Sequence, residues 1–180
     1  IQEDESWDEE DGFFYDVLRF PDGSVQRIKI RSMVGLLPLC ATAVIPPDMT
    51  TRFPEFSKRL EDFLDRHRFI LSNVHPPNVP GAEGRYLLSL CDEPKLRRIL
   101  TRMLDEERFL SPFGIRSLSK WHEQHPYRFN VHGQPYEVKY LPAESDTGMF
   151  GGNSNWRGPI WLPVNMLILR GLLQFYLYYG

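Results

Sequence analysis

The near-continuous apolar run from Leu162 to Tyr179 constrains this chain more than any other feature. It approaches the length of a membrane span, yet Pro163, Asn165, Arg170 and Gln174 interrupt it. A helix that is apolar on nearly every face belongs inside a protein core, so the run is expected to be a buried helix of a soluble fold. With 42% hydrophobic and 25% charged residues, the chain has the means to build such a core and is not expected to be disordered.

The pattern upstream agrees. Ser32 to Ala43 is also apolar on nearly every face, with Met33, Val34, Leu36, Leu37, Leu39 and Cys40, and reads as a second deep helix. Phe53, Phe56, Leu60, Phe63, Leu64 and His67 recur at steps of three and four, predicting an amphipathic outer helix on which His67 is a boundary residue. Another helix starts at Asp92 as N-cap, with Pro94 in its first turn and Leu96, Ile99, Leu100, Met103 and Leu104 as its stripe. Paired inner and outer helices would produce this alternation, although no repeat of fixed period accompanies it.

Two hairpins break the helical pattern. Phe13 to Phe20 and Ser24 to Ile30 flank Pro21-Asp22-Gly23, and Tyr127 to Tyr140 turns at His132-Gly133-Gln134. Three prolines and two glycines between Asn73 and Gly84 predict an ordered surface loop. Cys40 and Cys91 each lie in an apolar run and are expected as small buried hydrophobes, not a disulfide framework.

Composition excludes several functions. The net charge of −3, with scattered Lys and Arg, gives no footprint for nucleic acid or an anionic membrane. Seven carboxylates between Glu3 and Asp11 read as a solvated segment, with calcium ligation by Asp8, Glu10 and Asp11 a weaker option because the EF-hand spacing is absent. There is no phosphate-binding loop, HExxH, CxxC or nucleophile elbow, and no metal or cofactor is expected. Without a recognisable signal, and opening on Ile1, the chain reads as an internal segment of a longer cytoplasmic protein.

Chemistry is concentrated between Glu144 and Trp161. Glycine and asparagine are costly to order and persist where backbone approaches a ligand. Trp156 and Trp161 offer apolar platforms for the C–H face of a sugar ring, and Arg157 offers a rigid fork of donors. Asn153, Asn155 and Asn165 add amides. The alternative is that the two indoles cap the core and Arg157 pairs with a carboxylate. Glu144 and Asp146, the acidic pair in this loop, would lie on one side of a substrate rather than flank it, and are read as shaping the loop.

The residues Ser111 to Ser119 (SPFGIRSLS) and Asn155 to Asn165 (NWRGPIWLPVN) resemble motifs of glycoside hydrolase family 63, and Trp7 to Asp16 (WDEEDGFFYD) is similar to a stretch in its bacterial and fungal branch. That family includes the processing α-glucosidase of N-glycan maturation and mannosylglycerate hydrolases. The resemblance implies that the chain is part of an (α/α)6 toroid with short β-hairpins inserted, and that the whole enzyme cleaves α-glucosidic or related bonds with inversion. It implies a general-acid aspartate upstream and a general-base glutamate downstream of this segment, so no catalytic residue is assigned here. It also implies substrate-binding positions at Trp156, Arg157, Trp161 and Asn165, with a carbohydrate as partner. Asn155 stands where many members carry tyrosine. A non-catalytic carbohydrate-binding or scaffold module and a trehalase-like hydrolase are the competing readings.

Overall fold

In the computed structural model, residues 6–68, 74–131, 133–141 and 159–180 are described. The chain divides into two compact units. One is built from Glu5–Leu37 and Arg97–Met166, the other from Pro38–Leu96 and Leu167–Gly180.

In the first unit, β1 (Trp7–Asp8) pairs with β2 (Phe13–Phe14), and β3 (Asp16–Arg19) pairs with β4 (Val25–Ile28). The turn expected at Pro21-Asp22-Gly23 forms, with Gly23 at φ 84 and Asp22 Oδ1 accepting from Ser24 N at 2.8 Å. Phe13 and Phe14 leave the predicted hairpin and pair with β1 instead. They enter the core beside Leu36, Ile99, Met103 and Phe109, and Phe13 stacks on Phe109 at 5.7 Å. Gly35 permits this packing, since a Cβ there would stand 2.3 Å from the Phe13 ring.

In the second unit, β5 (Thr42–Ile45) pairs with β6 (Tyr86–Ser89). The short helix α1 (Met49–Arg52) runs into α2 (Pro54–Arg66). Leu39, Leu87, Cys91, Ile168, Phe175 and Tyr178 form the buried centre.

Helix α3 (Glu93–Met103) starts as expected, with Asp92 Oδ1 accepting from Lys95 N at 2.9 Å, and buries Leu96, Ile99 and Met103. β7 (Leu110–Ser111) pairs with β8 (Gly114–Ile115), and β9 (Tyr127–Val131) pairs with β10 (Gln134–Val138) around the second predicted turn, of which His132 lies outside the described residues. Helix α4 (Leu162–Tyr179) closes the chain. No helix among the described residues is long and apolar enough to cross a membrane. Neither Cys40 nor Cys91 is in a disulfide, and Cys91 is fully buried.

The expected (α/α)6 toroid is not what forms. The described residues give four α-helices and five separate two-stranded antiparallel sheets, and no helical hairpin. Ser32 to Ala43 shows why the expectation failed. Gly35 and Pro38 interrupt the run, so Met33–Cys40 winds as a 3-10 helix and β-branched Thr42 starts a strand. Helix α2 does form, but buries none of its residues, leaving Phe53, Phe56 and Phe63 half-exposed.

A candidate sugar-pocket wall

The two motifs at Ser111–Ser119 and Pro159–Asn165 meet in space. Arg116 makes an antiparallel bridge to Ile160, and Ser117 N donates to Pro159 O at 3.1 Å. On its other edge the same segment meets residues near Ile30: Ser32 bridges Leu118, Met33 N donates to Ser117 O at 2.8 Å, and Ser119 N donates to Arg31 O at 2.8 Å. Residues 116–119 are therefore clamped from both sides, and Ser117 and Ser119 are fully buried.

Asn165, in the first turn of α4, fastens the junction. Its Oδ1 accepts from Ile115 N at 2.7 Å, while Nδ2 donates to Ile115 O at 3.2 Å and Trp161 O at 2.9 Å. An amide is the side-chain group that can grip both backbone polar groups of one residue. Gly114 is required beside it, because φ is 127 and a Cβ would stand 2.8 Å from Asn165 Oδ1. Ser111 Oγ donates to Gly114 O at 2.7 Å and holds the tip, where Phe113 is 85% exposed.

Of the predicted substrate-binding residues, Trp161 sits partly exposed beside this junction, and Asn165 is engaged with the backbone as described. Trp156 and Arg157 lie outside the described residues, as do Glu144, Asp146, Asn153 and Asn155.

A charged network borders Arg31. Lys29 Nζ reaches Asp8 Oδ2 at 2.9 Å and Asp11 Oδ2 at 3.1 Å, and the Arg31 guanidinium bonds Asp11 Oδ1 at 3.1 Å. Burial alone would push the Asp8 carboxyl up, but the Asp11 amide and the Lys29 ammonium outweigh it and hold it below the usual carboxylate value. Asp11 behaves likewise: burial acts upward, and Lys29, Tyr15 and Arg31 overcome it. These carboxylates stay ionised, which suits structure better than proton donation. Among the described residues no cluster could hold a metal ion.

His122, not singled out by the sequence pattern, is fully buried under this network. Its Nε2 accepts from Arg31 N at 2.9 Å, so Nδ1 carries the proton and donates to His125 O at 2.9 Å. Burial holds its pKa below the ordinary histidine value. Trp121 lies between the Arg31 guanidinium, 4.0 Å from the ring centroid, and the stacked His125 ring at 4.1 Å.

In the other unit, a cleft of about 340 Å³ is lined by Ala43, Phe63, Leu64, His67, His75 and Leu88. Tyr178 OH donates to Val79 O at 3.0 Å, so His75 Nε2 is the donor to Tyr178 at 3.0 Å. His67 Nδ1 lies 2.8 Å from Phe63 O. Among the described residues, its lining holds no carboxylate.

Residues 84–177, just over half of the chain and including both motifs, match the mannosylglycerate hydrolase MGH1-like glycoside hydrolase domain. Over 97% of its length the chain is 51% identical to an uncharacterised protein of Saccharomyces cerevisiae, of which it covers 16%. Over 48% of its length it is 33% identical to a probable mannosyl-oligosaccharide glucosidase of Schizosaccharomyces pombe, of which it covers 8%. The chain thus spans a small part of the length of these relatives.

Proposed function

This chain belongs to the mannosylglycerate hydrolase MGH1-like glycoside hydrolase family, and we propose that the polypeptide containing it is an inverting glycosidase of α-linked sugars, with this segment forming one wall of the sugar pocket. The observation that carries the reading is the match over residues 84–177, which takes in both segments joined at Asn165. The glucosidase name of the fission-yeast relative favours an α-glucosidic or closely related bond.

In this reading Trp156 and Trp161 face the C–H surface of the sugar, and Arg157 donates to its hydroxyls. Asn165 belongs to the same set and holds the Trp161 carbonyl at the wall. The general acid and the general base come from outside this segment, in keeping with the ion-paired state of Asp8 and Asp11. Inversion needs those two carboxyls about 6.5–9.5 Å apart, one protonating the leaving oxygen while the other activates water on the opposite ring face.

The test uses the full-length protein on a panel of α-glucosides and α-mannosylglycerate, following the first-formed anomer by NMR. Release of the β-anomer is expected, and Trp161→Ala should raise KM by roughly tenfold while changing kcat less. Release of the α-anomer would overturn inversion. Binding without turnover across the panel would turn the assignment to a carbohydrate-binding module.

A further inference from the structure

Two hairpins of the first unit, β3–β4 and β9–β10, border an open cleft of about 680 Å³. Val25, Gln26, Arg27 and Lys29 line it from one side, and Tyr127 and Arg128 from the other. Among the described residues, the lining thus carries three cations and no carboxylate. Lys29 and Arg128 are 99 positions apart, so this convergence is invisible in a sequence whose basic residues look scattered.

Cations gathered on one cleft repel one another, and something must hold them there. Asp8 does this for Arg27 and Lys29, with Oδ2 lying 3.5 Å from Arg27 Nη1 and 2.9 Å from Lys29 Nζ. Asp11 Oδ2 holds the same ammonium at 3.1 Å, and Glu137 holds Arg128 from the neighbouring strand at 2.6 Å. The Asp8 and Asp11 side chains are only 6 and 19% exposed, whereas those of Arg27 and Lys29 are 38 and 44% exposed. The carboxylates therefore stand behind the cations as anchors and leave the cleft side positive. They do not exhaust the donors either, since an ammonium has three N–H groups and a guanidinium five.

The arrangement favours one kind of ligand. A guanidinium matches the edge of a phosphate with two parallel bonds, and an ammonium serves the same group as a point charge. A tetrahedral dianion can turn oxygens to both hairpins at once, while a planar carboxylate offers one edge and a single charge. A nucleic acid would need a longer basic stripe than three side chains provide.

We propose that Arg27, Lys29 and Arg128 form a binding site for a phosphate dianion, free or as the monoester of a small molecule whose organic part would lie against Tyr127 and Val25. The site does not depend on the glycosidase reading above.

Lysine acetylation tests this on the unmodified full-length protein, with peptide mass spectrometry as the readout. Acetylation needs the free amine, which a bound anion disfavours by its charge and by its cover. A few charge-assisted bonds at an exposed site give a dissociation constant on the order of 1 mM. Lys29 should therefore label roughly tenfold more slowly in about 10 mM inorganic phosphate than in sodium chloride of equal ionic strength. Lys58, exposed on α2, should not change. Arg128→Gln should raise the phosphate concentration needed by roughly fivefold. Glycerol 2-phosphate separates the two sources: protection at lower concentration than inorganic phosphate assigns a monoester, and equal protection assigns the free ion. Equal labelling of Lys29 in phosphate and chloride would overturn the proposal, as would equal slowing of Lys58. Protection that survives Arg128→Gln unchanged would overturn the bridging of the two hairpins, and acetate protecting as well as phosphate would overturn the choice of a dianion.

Discussion

The junction at Asn165 and the outward face of α4 share a helix but follow opposite logic. At the junction, the backbone of residues 115–119 is bonded on both sides, Asn165 satisfies Ile115 with two bonds, and the serines are buried. From Leu162 to Tyr176, six large apolar side chains are exposed. Helix α2 resembles the second case, with Phe53, Phe56 and Phe63 half-exposed and none of its residues buried. The difference separates two sources of stability. The junction is completed by residues within the chain, so its geometry is set locally, whereas apolar side chains left exposed on α2 and α4 gain little from the hydrophobic effect.

The largest effect expected at the junction comes from Asn165→Ala, which removes both partners of Ile115. Leaving two part-buried backbone groups unpaired costs about 1–3 kcal/mol. Hydrogen exchange of the Ile115 amide in the full-length protein should accelerate by roughly 5- to 150-fold. Unchanged protection would mean that the Asn165 amide is dispensable and the junction is held by its strand bridges alone.

Local chemistry was readable from the sequence where it acts over a few residues. Pro21-Asp22-Gly23 and the Asp92 cap did what their types dictate, because a turn or a cap is closed by near neighbours. The toroid expectation failed at Ser32 to Ala43, where Gly35 and Pro38 outweighed the apolar pattern. Apolar spacing also tells which face of a helix wants cover without saying what covers it, as α2 and α4 show. The use of Asn165 depends on Ile115, fifty residues away, and that of His122 on Arg31, ninety-one residues away. Neither pairing leaves a mark in the local sequence.

A second effect divides the buried network by pH. Protonated His122 would turn Nε2–H against Arg31 N–H, so folding favours the neutral ring. With its folded pKa below the unfolded value of about 6.5, the unfolded chain binds more protons, and stability falls as pH drops below that value. The slope is at most about 1.4 kcal/mol per pH unit for this group. His75, also pushed down by burial, adds a change of the same sign in the other unit. Asp8 and Asp11, held below the usual carboxylate range, retain their contribution until pH falls below about 4. Hydrogen exchange near Arg31, corrected for its intrinsic pH dependence, should therefore speed up between neutral pH and pH 5.5, roughly as the histidine titrates. His122→Asn should flatten that change while leaving the one near His75. A dependence that survives in the variant would place its origin elsewhere.

The smallest effect belongs to a pair that neither region needs. Arg128 and Glu137 stand directly opposite across β9 and β10, with Nε and Oε2 2.6 Å apart, but the Arg128 side chain is 78% exposed. Water screens such a pair and its long side chains lose freedom in forming it, so Arg128→Ala should cost no more than about 0.5 kcal/mol. Thermal unfolding of the full-length protein should move by about a degree or less. A larger shift would mean that this hairpin is covered in the complete protein, because only a desolvated ion pair resists loss of its partner that strongly.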